Sequence, residues 1–313
     1  MSTKELLKHA RSLQQKKFRD QHGQFLVQGA KVVRELLESD WQVDAVLSTE
    51  ACGQRMALQR AIIVPGHELD RVGTLETGNE VVAIARKPQE ASPGAMGSDE
   101  LIIGLDGIKD PGNLGTVIRI ADWFGVKRLW CAHGSVDAFN PKTVQAAMGA
   151  LFRVSVTMVD LPAIIMRQRA AGVQVYLASM EGRSVFDVRL ARRAVLVMGS
   201  ESHGVSAAVR EAGGEVIAIP GGDGSESPNV ATATAALCME FARQRVAERV
   251  ATWSATRCPS IAALTMPPAY PAPSPQGYNP RTCTCSSVSR SRGIRTGELV
   301  RDSTATTTAS LVR

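Results

Sequence analysis

Apolar runs of strand length alternate with stretches of helical period along most of this chain. In the first part, runs at 25–27, 43–47, 62–64 and 81–85 are separated by helical patterns at 30–37 and around 50–58. Ahead of them Leu6, Leu7, Ala10 and Leu13 recur on one helical face, with Lys4, Lys8 and Arg11 opposite and basic residues continuing through Lys16, Lys17 and Arg19. Such a face either lies on phosphates or simply meets water. The pattern predicts a small α/β unit over 1–87. Pro88, Pro93 and Gly94 among polar residues mark 88–98 as a linker.

A second α/β pattern fills 99–250. Strands are expected at 101–105, 128–132, 173–178, 194–198 and 216–219, with helices at 112–124, 142–148, 161–170 and 228–250. Uninterrupted apolar strands alternating with helices predict a mostly parallel sheet covered on both faces. After Ala251 the periodicity stops. That stretch holds seven prolines, no lysine and only Glu298 and Asp302 as acids, so 251–313 reads as a disordered tail.

Composition adds limits. The 313 residues are 44% hydrophobic and 21% charged, the mixture of a globular chain long enough for two domains. No apolar run approaches the roughly 18 residues of a membrane span, and charged residues interrupt the start of the chain. A cytoplasmic location without membrane attachment is therefore expected. The 36 basic against 30 acidic residues give a net +6, which favours a polyanionic partner. Aromatic residues are only 4%, which argues for recognition by charge and shape over a platform of stacked rings. The six cysteines form no C-x-x-C pair, and Cys283 and Cys285 lack partners at zinc spacing, so no metal site is expected.

Three segments sit at the carboxyl ends of predicted strands, where open α/β sheets place ligands. The first, 105–119, is a Gly/Pro-rich loop feeding a helix that carries Asn113, Gly115 and Arg119. An arginine among apolar neighbours is costly if buried alone, and Asp122 one turn on is its plain structural partner. The second, 198–205, ends a strand in small residues and offers Glu201 and His203, either as chemical groups or as parts of a polar turn. In the third, 219–230, Ser227 suits a helix N-cap and Pro228 the first helical position. No G-x-G-x-x-G follows a strand anywhere here, which argues against a dinucleotide-binding dehydrogenase or an ordinary Rossmann methyltransferase.

In this order and spacing the three segments resemble the signature motifs of the SpoU/TrmH family of RNA 2′-O-ribose methyltransferases, in the SPOUT superfamily. Asn113, Gly115 and Arg119 match the first motif, Gly199, Glu201 and Gly204 the second, and Ser227 and Asn229 the third. Residues 25–29 resemble the strand that opens the family's substrate-binding domain, so the likeness covers about 1–247. It implies an α/β fold with a small N-terminal RNA-binding domain, then a SPOUT domain ending in a trefoil knot. It also implies S-adenosylmethionine as methyl donor, a homodimer, and structured RNA rather than DNA as substrate, ribosomal in preference to transfer RNA. A non-catalytic RNA-binding protein of the same fold is the other reading, and the presence of both Asn113 and Arg119 weighs against it.

The likeness assigns roles. Arg119 belongs at the reacting ribose, as a phosphate grip and a stabiliser of the developing alkoxide rather than a base, because a guanidinium stays protonated. Asn113 orients substrate or Arg119, Glu201 shapes the site, and Ser227 and Asn229 stand at its edge. Met198, Gly199, Ile219, Ser227 and Pro228 line the cofactor pocket. From the charge pattern alone, and not from the likeness, Lys4, Lys8, Arg11 and Lys16 are expected to face RNA, with a merely solvated face as the alternative. Two residues depart from the family pattern: Gln28 stands where a Glu is frequent, and Pro228 where a Leu usually lends its backbone, which proline does without an N–H.

Overall fold

The computed structural model describes residues 2–75, 79–89, 93–222 and 226–257. The first domain opens with α1 (Thr3–Ser12), whose N-terminus is closed by a reciprocal capping box between Ser2 and Glu5. The predicted basic helix does not run straight on. It breaks after Ser12 and restarts as α2 (Lys16–His22), ended by Gly23 at φ 62°. Four strands follow: β1 (Gln24–Gln28), β2 (Val43–Ser48), β3 (Ile62–Ile63) and β4 (Val81–Arg86), with α3 (Ala30–Leu37), α4 (Glu50–Arg55) and α5 (Gly66–Val72) between them. Their order is β1-β4-β2-β3, antiparallel except for the β2–β3 pair. α5 is absent from the sequence reading.

The second domain contains β5 (Leu101–Asp106), α6 (Pro111–Trp123), β6 (Arg128–Ala132), α7 (Pro141–Ala147), β7 (Ser155–Val159), α8 (Leu161–Ala170), β8 (Gln174–Ser184), β9 (Ala194–Gly199), α9 (Ala207–Ala212), β10 (Glu215–Ala218) and α10 (Val230–Arg257). Six strands pair in the order β10-β8-β9-β5-β6-β7, and every neighbouring pair is parallel, as the apolar strands predicted. Alternation along β5 serves two cores. Leu101, Ile103 and Leu105 join the large cluster on one face, and Ile102 the smaller cluster beneath α8 and α9. β7 and α9 were not anticipated. α10 continues past the expected end at 250, and residues 258–313 of the expected tail lie outside the described residues. Burial pushes the thiols of Cys131 and Cys238 up to about 12, so neither is a nucleophile.

The two sheets share one core. Phe25 and Trp41 of the first domain pack on Phe139 and Phe152 of the second, and all belong to the large cluster or its margin. Beside them Arg19, expected on the solvent-facing basic face, is 2% exposed. Its Nε and Nη2 donate to Asp137 at 3.0 and 2.8 Å, and Nη1 donates to the carbonyls of Leu13 and Gln14. A second link runs from Glu35 on α3 through Arg153 to Asp122 on α6. Asp122 therefore pairs with Arg153, not with Arg119. Along the expected linker, the carbonyls of Gly94 and Ala95 accept from Arg128 and Met96 is buried.

Candidate active site

α6 starts where β5 ends. Pro111 occupies its first turn, and Asp110 caps it by accepting from the Asn113 backbone N–H at 2.7 Å. Asn113 is thereby fixed at the carboxyl edge of the sheet. Its Nδ2 donates to Oε1 of Glu201, in the turn after β9, and its Oδ1 accepts from Nδ2 of Asn229 at 3.0 Å. Asn229 in turn caps α10 through its own Oδ1, which accepts from the Ala231 N–H at 2.9 Å. One residue from each predicted segment thus joins a single hydrogen-bonded chain, Asn229 to Asn113 to Glu201. The N-cap is Asn229, not Ser227, and Pro228 lies outside the helix rather than in its first turn.

Glycines determine how close the backbones come. A Cβ on Gly199 would collide with the Gly204 backbone, because Ser200 and Gly204 exchange N–H···O bonds of 3.1 and 2.8 Å across the turn. Gly115 has a different reason: a Cβ there would stand 2.5 Å from Cβ of Ala146 and 2.7 Å from the Thr143 carbonyl. It lets α6 press against α7 and touches no ligand space. His203, bonded to Ser202 at 2.7 Å, is an exposed turn residue that does not line the site.

Behind Glu201 lies a cavity of about 380 Å³, inside the usual range for small-ligand sites. Met198, Gly199, Ile219, Ser227 and Pro228, the residues expected at the cofactor, all line it. Its wall also includes residues the sequence did not suggest: Ser179, Met180, Glu181 and Arg210. Arg210 comes from α9, and the other three from a register break. β10 pairs Val216 with Leu177 and then Ile217 with Arg183, so 178–182 is left out of the ladder and curves around the cavity. Gly182 allows this, since a Cβ there would be 2.6 Å from the Ile217 carbonyl carbon. Arg210 is held by donation from Nε to the Val205 carbonyl at 3.0 Å.

Arg119 is not brought to this cluster. Six residues beyond Asn113, it lies about 120° around the helix. It is exposed and has no hydrogen-bond or ion-pair partner among the described residues. Its neighbour one turn on, Trp123, is 84% exposed. Of the proposed RNA-facing residues, Lys4, Lys8 and Arg11 are exposed on one side of α1, whereas Lys16 belongs to α2 and pairs with Asp20. Gln28 is buried; its Oε1 accepts from the Thr74 N–H at 2.8 Å, while Nε2 has no partner among the described residues. Among those residues no three His, Cys, Asp or Glu side chains converge on a metal position, and no helix is long and apolar enough to cross a membrane.

Comparison with known proteins agrees with this geometry. Residues 100–239 match the SpoU rRNA Methylase family and residues 4–87 the MRM3-like substrate binding domain. Over 235 residues the chain is 30% identical to the 23S rRNA (guanosine(2553)-2'-O)-methyltransferase RlmP of Bacillus subtilis, covering 74% of this chain and 93% of that protein. It is 29% identical over 254 residues to the 23S rRNA (uridine(2479)-2'-O)-methyltransferase of Streptomyces viridochromogenes, covering 75% and 88%. The crystal structure of the SpoU methyltransferase AviRb from that organism, in complex with the cofactor AdoMet, superposes with a TM-score of 0.69 at 27% identity, covering 79% of this chain and 99% of that one. A TrmH-family structure from Porphyromonas gingivalis gives 0.71 at 36% identity, over 78% and 99%. The chain belongs to the SpoU/TrmH family of RNA methyltransferases.

Proposed function

We propose that this protein transfers a methyl group from S-adenosylmethionine to a ribose 2′-hydroxyl of ribosomal RNA. The observation that carries the reading is the convergence of Asn113, Glu201 and Asn229 at the lip of the 380 Å³ cavity. The relatives named as 23S rRNA 2′-O-methyltransferases and the AdoMet-bound neighbour support the same substrate and cofactor. The lining suits that cofactor: Ile217 and Leu237 offer apolar surface, Gly199 and Gly204 expose backbone, and Glu181, Glu201 and Ser227 supply polar groups. When bound, S-adenosylmethionine supplies an electrophilic methyl on a sulfonium centre.

The chain's own task is to position the attacking hydroxyl. Asn113 has its amide oxygen and nitrogen fixed by Asn229 and Glu201, so its orientation is set before RNA arrives and the amide needs little reorganisation. Arg119, exposed on the flank of α6 and without a partner among the described residues, is assigned to the backbone phosphate beside the reacting ribose. A homodimer is inferred through that flank: Trp123, one turn beyond Arg119, and, on the α10 helix that packs against α6, Met239 and Val246 expose apolar surface. Such packing places each Arg119 in the seam between two copies. We also infer the trefoil knot. Supporting it, the chain returns from edge strand β10 to Asn113 on α6 after closing the Ser200–Gly204 turn. True knots are rare, so family membership weighs most here.

Incubating the purified protein with S-adenosylmethionine and unmodified ribosomal RNA is expected to create one discrete 2′-O-methyl stop in primer extension. Methylation of transfer RNA alone, or of a base, overturns the proposal. Reversing the charges of Lys4, Lys8 and Arg11 is expected to weaken RNA binding and to flatten its salt dependence by about one unit of slope for each phosphate that is no longer neutralised. Calorimetric affinity for S-adenosylmethionine stays unchanged. An unaltered slope returns α1 to a merely solvated face.

A further inference from the structure

A second cavity, of about 390 Å³, lies at the seam between the two domains, away from the methyl-transfer site. α2 and the residues following β4 form one side of it. The loop after β6 and the edge strand β7 form the other. Its apolar wall is Phe139, Val156 and Met158 with Pro88. Phe139 is braced from behind by Phe25, ring centroids 4.9 Å apart, so this wall is part of the shared core and is rigid.

The cavity's charge is arranged, not scattered. Asp20 accepts from Lys87 at 2.6 Å with one oxygen and from Lys16 at 2.5 Å with the other, which holds its carboxyl below the usual range and fixes both ammonium groups beside the cavity. Lys87 also stands 5.3 Å from the centre of the Phe139 ring. The lining sets Lys16 and Lys87 against Asp20 and Asp137, and because Asp137 is taken up by the buried Arg19 the group sums to one positive charge, with His133 exposed nearby. An apolar aromatic wall beside fixed cations suits a planar base carrying a phosphate.

Position supplies the connection to chemistry. The loop after β6 is bonded to the loop that leads into α6 and Asn113: the Val136 N–H donates to the Ile108 carbonyl at 2.8 Å, and Lys109 Nζ to the Gly134 carbonyl at 2.6 Å. Along the sheet, β6 and β7 are two and three strands from β9, about 10–15 Å at ordinary strand spacing. A short run of unstacked RNA covers that distance. We propose that this seam cavity is an RNA subsite that takes an unpaired nucleotide near the target, its base against Phe139 and Met158 and its phosphate at Lys16 and Lys87. The proposal rests on the RNA-methyltransferase reading above. It adds sequence or shape selection by a pocket to which both domains contribute, so their relative placement becomes part of substrate choice.

The test uses the full chain and a labelled single-stranded oligouridine RNA containing 4-thiouridine, with 5′-AMP as a separate arm. Gln89→Trp plugs the cavity from its exposed rim, and Lys87→Gln removes one cation. Anisotropy is expected to show about tenfold weaker RNA binding for Gln89→Trp, the scale of losing one stacked base. Lys87→Gln is expected to lower the salt slope by about one. Photocrosslinks are expected in peptides covering 133–139 or 156–158. Native RNA affinity in both variants, with crosslinks only elsewhere, overturns the subsite and leaves the methyltransferase reading standing. Tight binding of 5′-AMP without competition by the oligonucleotide also overturns it, in favour of a free nucleotide. A wild-type chain that binds no RNA at all overturns both.

Discussion

Asp137→Ala is expected to destabilise the fold by about 3–5 kcal/mol, because it strands a guanidinium that the core has already enclosed. Arg19 keeps its bonds to the Leu13 and Gln14 carbonyls in that variant but is deprived of its carboxylate partner. The Phe139 N–H, which donates to Asp137 Oδ1 at 2.9 Å, is orphaned as well. For a unit of this size each kcal/mol moves the melting temperature by roughly 2–4 °C, so a drop of about 10 °C is expected in a thermal scan. Arg19→Met in the same background should recover much of it, since an apolar side chain of similar length no longer needs a partner. A double-mutant cycle reads the coupling directly. High salt should leave the coupling largely intact, because screening acts weakly on a buried pair. A fall below about 2 °C for Asp137→Ala would show that the pair contributes little to holding the domains together.

That pair also shows why parts of the fold were hidden in the sequence. Arg19 follows Lys16 and Lys17 in a basic run, and nothing within one helix distinguishes a solvated arginine from one that meets Asp137, 118 positions later. Elements defined by local periodicity were legible: α3 and α8 fall where the apolar spacing put them, and so does β6. β7 was missed although 155–159 contains two valines and a threonine, since Ser155 and Met158 blur its edges and a five-residue run competes poorly with the helices around it. The active site divided in the same way. Asn113, Glu201 and Asn229, which the structure joins in one hydrogen-bonded chain, are legible because each belongs to a recognisable motif in a segment that follows a strand. Ser179, Met180 and Glu181 are not, since the register break that turns 178–182 toward the cavity is created by strand pairing across the sheet, and neither is Arg210, which the unanticipated α9 brings to the wall. The exchange of capping roles between Ser227 and Asn229 has a local cause: both are good N-caps, and the bond to Asn113 favours Asn229.

Arg119→Ala is expected to lower single-turnover methyl transfer by about 10² or more while leaving the melting temperature and the affinity for S-adenosylmethionine almost unchanged. The structure sharpens this expectation in two ways. Asp122 is occupied by Arg153, and Arg119 is exposed with no partner among the described residues, so its removal breaks no ion pair and opens no cavity. Cofactor affinity should hold because Arg119 does not line the 380 Å³ cavity. Lysine should rescue poorly: it restores charge but not the planar fork that grips a phosphate with two bonds. The position of Arg119 beside Trp123 adds a further test of the inferred dimer. If each Arg119 works in the seam between copies, Trp123→Glu should reduce methyl transfer in step with the loss of dimer seen by sedimentation, at an unchanged monomer fold. Near-normal turnover by Arg119→Ala on ribosomal RNA would remove this residue from the chemistry, and a Trp123→Glu monomer that methylates at full rate would confine Arg119 to its own subunit's site.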